Sequence, residues 1–491
     1  MSLLAMALIV TPTGLWRPQA AFPLAVVAVT ASVIFSIGAL AEVSQNDAPL
    51  RHLLGNWEPP LGIEYVVDYV SGFVAVVITS VALLVIMATR GTVTETGRER
   101  TGIYYGLVLL LLAGLTGIVV TGDLFNLFVF LEIASLAAYT LVFIGDQRAM
   151  VAGFRYLILG TIGGALYLLG VGFLYFATGT LNMADMAARM PEVAELRSVQ
   201  AGAVPIFVGL GLKMALFPMH LWLPDAYTYS SSSVNSLIAP IMTKVAAYAM
   251  LRMFLSVFSP TYLQDEVPIA DALIVLGLIG VIAGSVAAIS QRDLRRMLAY
   301  SSVSQISLIA VAIGLASPLA FVAALLHVMN HAVMKATLFL AAASVRQSTG
   351  SSEIERMTGL GKRMPITMMA FSFGAISLVG IPPTAGFFSK WYLVQAGIDA
   401  GQWPVAVVVL VSSLLTAVYL FRILERVYLR SYPPEPDPAM GGRGGVTTQT
   451  VTAVREAPVS MLVPMLVLGL ATVALGLMNS AIVTRVLERG V

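Results

Sequence analysis

Apolar residues run along this chain in long stretches separated by short polar loops. Stretches of that length and apolarity predict membrane-spanning helices. They fall near 3–15, 20–41, 66–88, 103–121, 123–144, 156–178, 202–223, 234–258, 270–290, 297–314, 319–345, 366–396, 404–429 and 459–482. The expected fold is an all-α polytopic membrane protein with about fourteen transmembrane helices. The first stretch is short for a bilayer and is interrupted by Pro12 and Gly14. Between the spans, 182–198 predicts a short interfacial helix or loop, and the Pro- and Gly-rich segment 431–458 predicts a flexible loop. No loop is long enough to carry a soluble core of its own.

Composition agrees with the pattern. The chain of 491 residues is 58% hydrophobic and only 11% charged, with a mean hydropathy of +0.88. Those values exclude an ordinary soluble domain. A net charge of +2, with no basic patch interleaved with aromatics, leaves no case for nucleic acid. The absence of cysteine excludes disulfides, iron–sulfur clusters and thiolate metal sites. Neither a cofactor nor a metal site is expected, nor a catalytic activity of the chain's own. The N-terminus lacks a basic region and a small-residue cleavage site, so it does not read as a signal peptide.

Loop charge then orients the spans. Taken on alternate sides, sixteen loop Arg and Lys residues fall on one side and five on the other. The positive-inside rule places the richer side in the cytoplasm of a prokaryotic cell and both termini on the outer face of its membrane.

The lysines break this order. Of five, Lys213, Lys244, Lys335 and Lys390 lie inside apolar stretches, and only Lys362 lies in a polar loop. A charge at membrane depth is costly, and is a functional-site hypothesis by default. Lysine differs from arginine in that burial readily makes it give up its proton. A chain that uses arginine for loop charge and lysine inside the bilayer is built for amines that deprotonate.

Four constellations surround them. In GDLFNLFVFLEIASLAAY (122–139), Glu132 sits about mid-span, while Asp123 is placed to cap the helix start. In GLGLKMALFPMHLWLPDAY (209–227), Lys213 precedes Pro218, which breaks or kinks its helix. Interrupted helices are tolerated at membrane depth where they line an enclosed cavity. Lys244 lies in the next span after Pro240, with Arg252 nearer the outer end in a position to snorkel. In LLHVMNHAVMKATLFL (325–340), His327, His331 and Lys335 recur at four-residue spacing, which stacks them on one face beside Asn330. Titratable groups in such a line suit a proton relay better than a metal site, since two histidines lack further ligands. Packing of polar helices, a snorkelling lysine and a structural hydrogen-bond ladder are the competing readings. A second interrupted span, SLVGIPPTAGFFSKWYL (377–393), carries Pro382, Pro383 and Lys390 five spans after the first. An odd spacing makes the two halves inverted repeats.

These segments resemble the antiporter-like subunits shared by Mrp-type sodium/proton antiporters, respiratory complex I and membrane-bound hydrogenases, from about 55 to 430. GNWEPPLGIEYVVD and the segment around Glu132 look most like the D subunit of Mrp antiporters. The resemblance implies two inverted five-helix repeats with broken helices. It divides the chain into 1–100 (three N-terminal helices), 101–260 and 261–430 (the repeats) and 431–491 (a loop and a last helix). It implies a gating pair, Glu132 and Lys213, feeding Lys244, then His331 and Lys335, then Lys390; the four-residue spacing adds His327 to this path. It also implies other membrane subunits as partners within the lipid bilayer, with protons and sodium as the ions moved. The competing assignment is a proton-pumping subunit of a redox complex. A self-sufficient solute carrier is disfavoured, because the buried charges form a line and not a pocket.

Overall fold

The computed structural model describes residues 2–90, 93, 100–145, 147–431 and 454–491. The helices are α1 (Ser2–Trp16), α2 (Pro18–Asn46), α3 (Tyr69–Thr89), α4 (Thr101–Val120), α5 (Leu124–Phe143), α6 (Gln147–Thr178), α7 (Met183–Val193), α8 (Arg197–Met214), α9 (Trp222–Tyr229) and α10 (Ser232–Ser256). They continue with α11 (Pro260–Asp265), α12 (Ile269–Ile289), α13 (Leu294–Gly314), α14 (Pro318–Thr349), α15 (Leu360–Arg363), α16 (Pro365–Val379), α17 (Ala385–Asp399), α18 (Trp403–Leu429) and α19 (Val459–Leu477). Among the described residues, 11 helices are long and apolar enough to cross a membrane. The chain is a multi-pass membrane protein.

The other three expected spans are shorter or broken. Helix α1 has 15 residues; the stretch 202–223 is divided between α8 and α9, and 366–396 between α16 and α17. The expected count of fourteen therefore does not follow from helix length. Most of the loop expected over 431–458 lies outside the described residues.

The fold is the expected α-helical membrane bundle, with one small addition that was not expected: β1 (Leu50–Leu53) pairs antiparallel with β2 (Glu64–Val67), Leu50 opposite Val67. The valines that end β2 merge with the next span in a hydropathy reading, although they and Tyr65 suit a strand. Single bridges join Tyr65 to Thr121 and Asp123 to Asn182, pinning the hairpin over the start of α5. Contrary to expectation, Arg252 does not snorkel. It is buried and its Nη2 donates to Asp68 Oδ2 at 2.6 Å.

Interior and rim are distinct. Helices α10, α13 and α14 are almost wholly enclosed, whereas less than half of the span of α2, α6 and α18 is buried. Element order repeats: α4, α5, α6, the broken α8–α9 and α10 are followed by α12, α13, α14, the broken α16–α17 and α18. The interruption is fourth in each set. Packing of α10 on α14 joins the sets at the centre.

Candidate functional site

Both helix breaks expose backbone groups that side chains then satisfy. Helix α8 ends where Ala215 turns left-handed, at φ 62°, and Pro218 lies in the gap before α9. Trp222 closes the gap by donating its indole N–H to Leu212 O at 3.0 Å, and its ring stacks on Tyr156 with centroids 4.1 Å apart. In the second set, Pro382 and Pro383 lie between α16 and α17. Here the freed carbonyls of α16 find a lysine.

Lys213, in the last turn of α8, donates from Nζ to Glu132 Oε1 at 2.9 Å and to Ser135 Oγ at 2.7 Å. The pair is asymmetric: the lysine side chain is 4% exposed and the glutamate 24%. Glu132 thus reaches the lateral face of α5, beside exposed Phe125 and Leu136, and is not enclosed. Gly164 on α6 makes its place, since a Cβ there would stand 2.3 Å from Glu132 Oε1.

Lys244 is fully buried and folds back on its own helix, donating to Ala239 O at 2.6 Å. No carboxylate forms an ion pair with it among the described residues. On α14, Lys335 donates to Leu298 O at 2.8 Å and to Ser301 Oγ at 2.5 Å, both on α13. One turn back lies His331 and a further turn back His327, their rings 5.9 Å apart between centroids. His327 Nδ1 meets Ser389 Oγ at 2.9 Å, and Asn330 Nδ2 donates to Ala385 O at 2.7 Å. Helix α14 thereby touches the start of α17. Lys390, beside Ser389, donates to Leu378 O at 3.0 Å, Val379 O at 2.9 Å and Ser413 Oγ at 3.1 Å. The unpaired carbonyls ending α16 carry partial negative charge, so they suit a cation. Gly380 passes under this lysine at φ 90°, in a conformation that other residues rarely adopt.

The axis is therefore a series and not a cluster. Glu132 and Lys213 touch, and His327 reaches Lys390 only through the neighbouring Ser389, while Lys244 and His331 make no direct bond to the other members. The hydroxyls of Ser135, Ser301, Ser389 and Ser413 were not among the expected site residues. The polar run YSSVSQIS (300–307) in an apolar span is the one signal that points to Ser301. At the end of the bundle away from the hairpin, a cavity of about 480 Å³ reaches His220 in the α8–α9 gap and is lined by Arg155, Asp225, Arg296 and Tyr300. Asp225 bridges Arg155 at 2.8 Å and Arg296 at 3.3 Å. No group of three or more metal-ligating side chains occurs among the described residues.

Residues 121–416, which hold every residue of this axis, match the family described as NADH:quinone oxidoreductase/Mrp antiporter, membrane region. The chain belongs to this family. It is 45% identical to the N subunit of the NADH-quinone oxidoreductase of Desulforudis audaxviator over 92% of its own length and 89% of the relative's. It is 33% identical to the D subunit of the Na(+)/H(+) antiporter of Alkalihalophilus pseudofirmus, covering 81% of itself and 79% of that protein. Its fold matches a chain in the Mrp complex from Dietzia sp. DQ12-45-1b with a TM-score of 0.89 at 26% identity, over 100% of this chain and 95% of that one. It is an antiporter-like subunit of the kind found in Mrp or complex I-like proton-pumping membrane complexes. The expected preference for the Mrp-type D subunit is left open by these likenesses, because identity to the oxidoreductase N subunit is higher.

Proposed function

We propose that the chain is a proton-translocating subunit of a larger membrane complex, moving protons along Glu132, Lys213, Lys244, His327, His331, Lys335 and Lys390. The observation that carries this reading is four buried lysines in series, of which only Lys213 is held by a carboxylate. A fixed structural cation at membrane depth would be paired; three of these make no ion pair among the described residues and rest on carbonyls and hydroxyls, which accept from an ammonium and still accept from the amine left when it gives up a proton. In the resting pair, Glu132 holds the proton of Lys213. When Glu132 is drawn away, Lys213 passes its proton inward to Lys244, from which it crosses beside His331 to Lys335 and on to Lys390. The lateral exposure of Glu132 favours a neighbouring subunit as the agent that draws it.

Two driving reactions suit the same axis. Likeness to the antiporter's D subunit and to the Mrp fold favours exchange of protons for sodium, the cation being handled at a subunit boundary. The higher identity to the oxidoreductase N subunit favours proton pumping driven by a redox partner. Everted vesicles carrying the intact operon separate them. Sodium-dependent relaxation of a pH gradient supports the antiporter; acidification appearing only with a redox substrate supports the pump. Glu132→Ala and Lys213→Ala are expected to abolish whichever activity is present while leaving assembly intact. Normal transport in both would overturn the gating pair.

A further inference from the structure

The path above has a gap between Lys244 on α10 and the Lys335 end of α14, and α13 carries a residue suited to it. Gln305 is fully buried, yet neither its Oε1 nor its Nε2 has a hydrogen-bond partner among the described residues. It lies one turn along α13 from Ser301, on the same face. Because α13 and α14 are consecutive antiparallel neighbours, that turn brings Gln305 level with His331, one turn back from Lys335. His331 is likewise buried with both ring nitrogens unpartnered, and His327 Nε2 and Asn330 Oδ1 are unpartnered beside it. His331 also lies within electrostatic reach of Lys244, Lys335 and His327. Helix α13 packs on α10 as well as α14, so the helix of Lys244 also adjoins it.

Buried polar groups are almost always hydrogen-bonded, and where protein supplies no partner, ordered water does. A primary amide suits such a water, since it donates through Nε2 and accepts through Oε1 without itself ionising. Building on the proton path proposed above, we infer that Gln305 is a positioning residue of that path, holding with His331 the water through which a proton crosses between Lys244 and Lys335. In this step the Lys244 ammonium gives a proton to the water as the water gives one of its own to the neutral amine of Lys335. The water is regenerated and one positive charge has moved from α10 to α14. Gln305 bonds to the water throughout and takes no proton.

The test compares Gln305→Leu and Gln305→Ser in the intact complex, measuring transport and thermal stability together, with Lys244→Arg alongside. Leucine fills the space without bonding water, so transport should fall by on the order of tenfold or more while the melting temperature stays level or rises. Serine leaves room for a second water and should keep transport within about threefold of wild type. Normal transport in Gln305→Leu overturns the inference, as does parallel loss of transport and stability in both variants, which marks a structural residue. If Gln305→Leu does not assemble, Gln305→Ser decides alone: near-normal transport supports the inference and its loss overturns it. Full transport by Lys244→Arg would instead remove the proton path itself, and this inference with it.

Discussion

Lys213 and Lys390 occupy matching broken helices but answer to different partners. The first sits before its break against a carboxylate, and the second sits after its break against the carbonyls that the break frees. Only the first can be switched by moving a single charged group. Gly164→Ala tests that switch without removing a charge, because the new Cβ presses on Glu132 Oε1. Displacing Glu132 by even an ångström should slow transport on the order of tenfold to a hundredfold, measured as the rate of pH-gradient relaxation in vesicles with equal amounts of complex. Unchanged rates would show that Glu132 has freedom to spare. The lysines themselves are legible in the sequence, since a cation inside an apolar run stands out. Their partners are not. Apart from Ser301, marked by the polar run 300–307, serine hydroxyls and helix-end carbonyls carry no sequence signature, and Arg252 finds Asp68 from 184 residues away.

Breaks in α8–α9 and α16–α17 set where the axis can run, and each is held by side chains that replace lost backbone bonds. Trp222→Phe removes the indole N–H from Leu212 O but keeps an aromatic ring for Tyr156. The loss of one buried hydrogen bond should cost about 1 kcal/mol, read as a lower melting temperature; an unchanged one would mean that the Ala215 N–H, which also donates to Leu212 O at 3.1 Å, satisfies that carbonyl alone. At the hairpin end, Asp68 caps α3 and pairs with Arg252. Burial opposes its charge, but Arg252 and Ser71 outweigh this and hold its carboxyl below the usual carboxylate range. A lowered folded value means that the pair contributes stability above the unfolded pKa and loses it as pH falls through the folded one. Asp68→Asn should therefore lower the melting temperature at neutral pH, with the difference closing in strong acid. A gap that stays constant with pH would mean the charge is immaterial. Span positions are legible because each is long and apolar. The β1–β2 hairpin is not, because its last residues, Val66 and Val67, run into the apolar span that follows.

Across the whole molecule, α10, α13 and α14 form an enclosed centre, while Glu132 stands at the lateral edge of the same axis. Depth in the bilayer was legible from sequence position; enclosure was not, because it depends on which helices flank α5. A partly exposed carboxylate facing lipid is unfavourable, so the assembled complex is expected to cover this face. The chain lacks cysteine, and Leu136→Cys carrying a lipid-soluble cross-linker should join to another subunit. Cross-linking to lipid alone would leave the face unpartnered.

The claim on which the rest depends is that interior lysines carry protons and do not merely hold charge. Lys244→Arg tests it most directly, because arginine keeps the positive charge and will not release its proton. In everted vesicles containing the intact complex, driven by sodium or by a redox substrate, the account predicts normal assembly and no proton movement from this variant. Proton transport at the wild-type rate would make Lys244 a fixed charge and contradict the account.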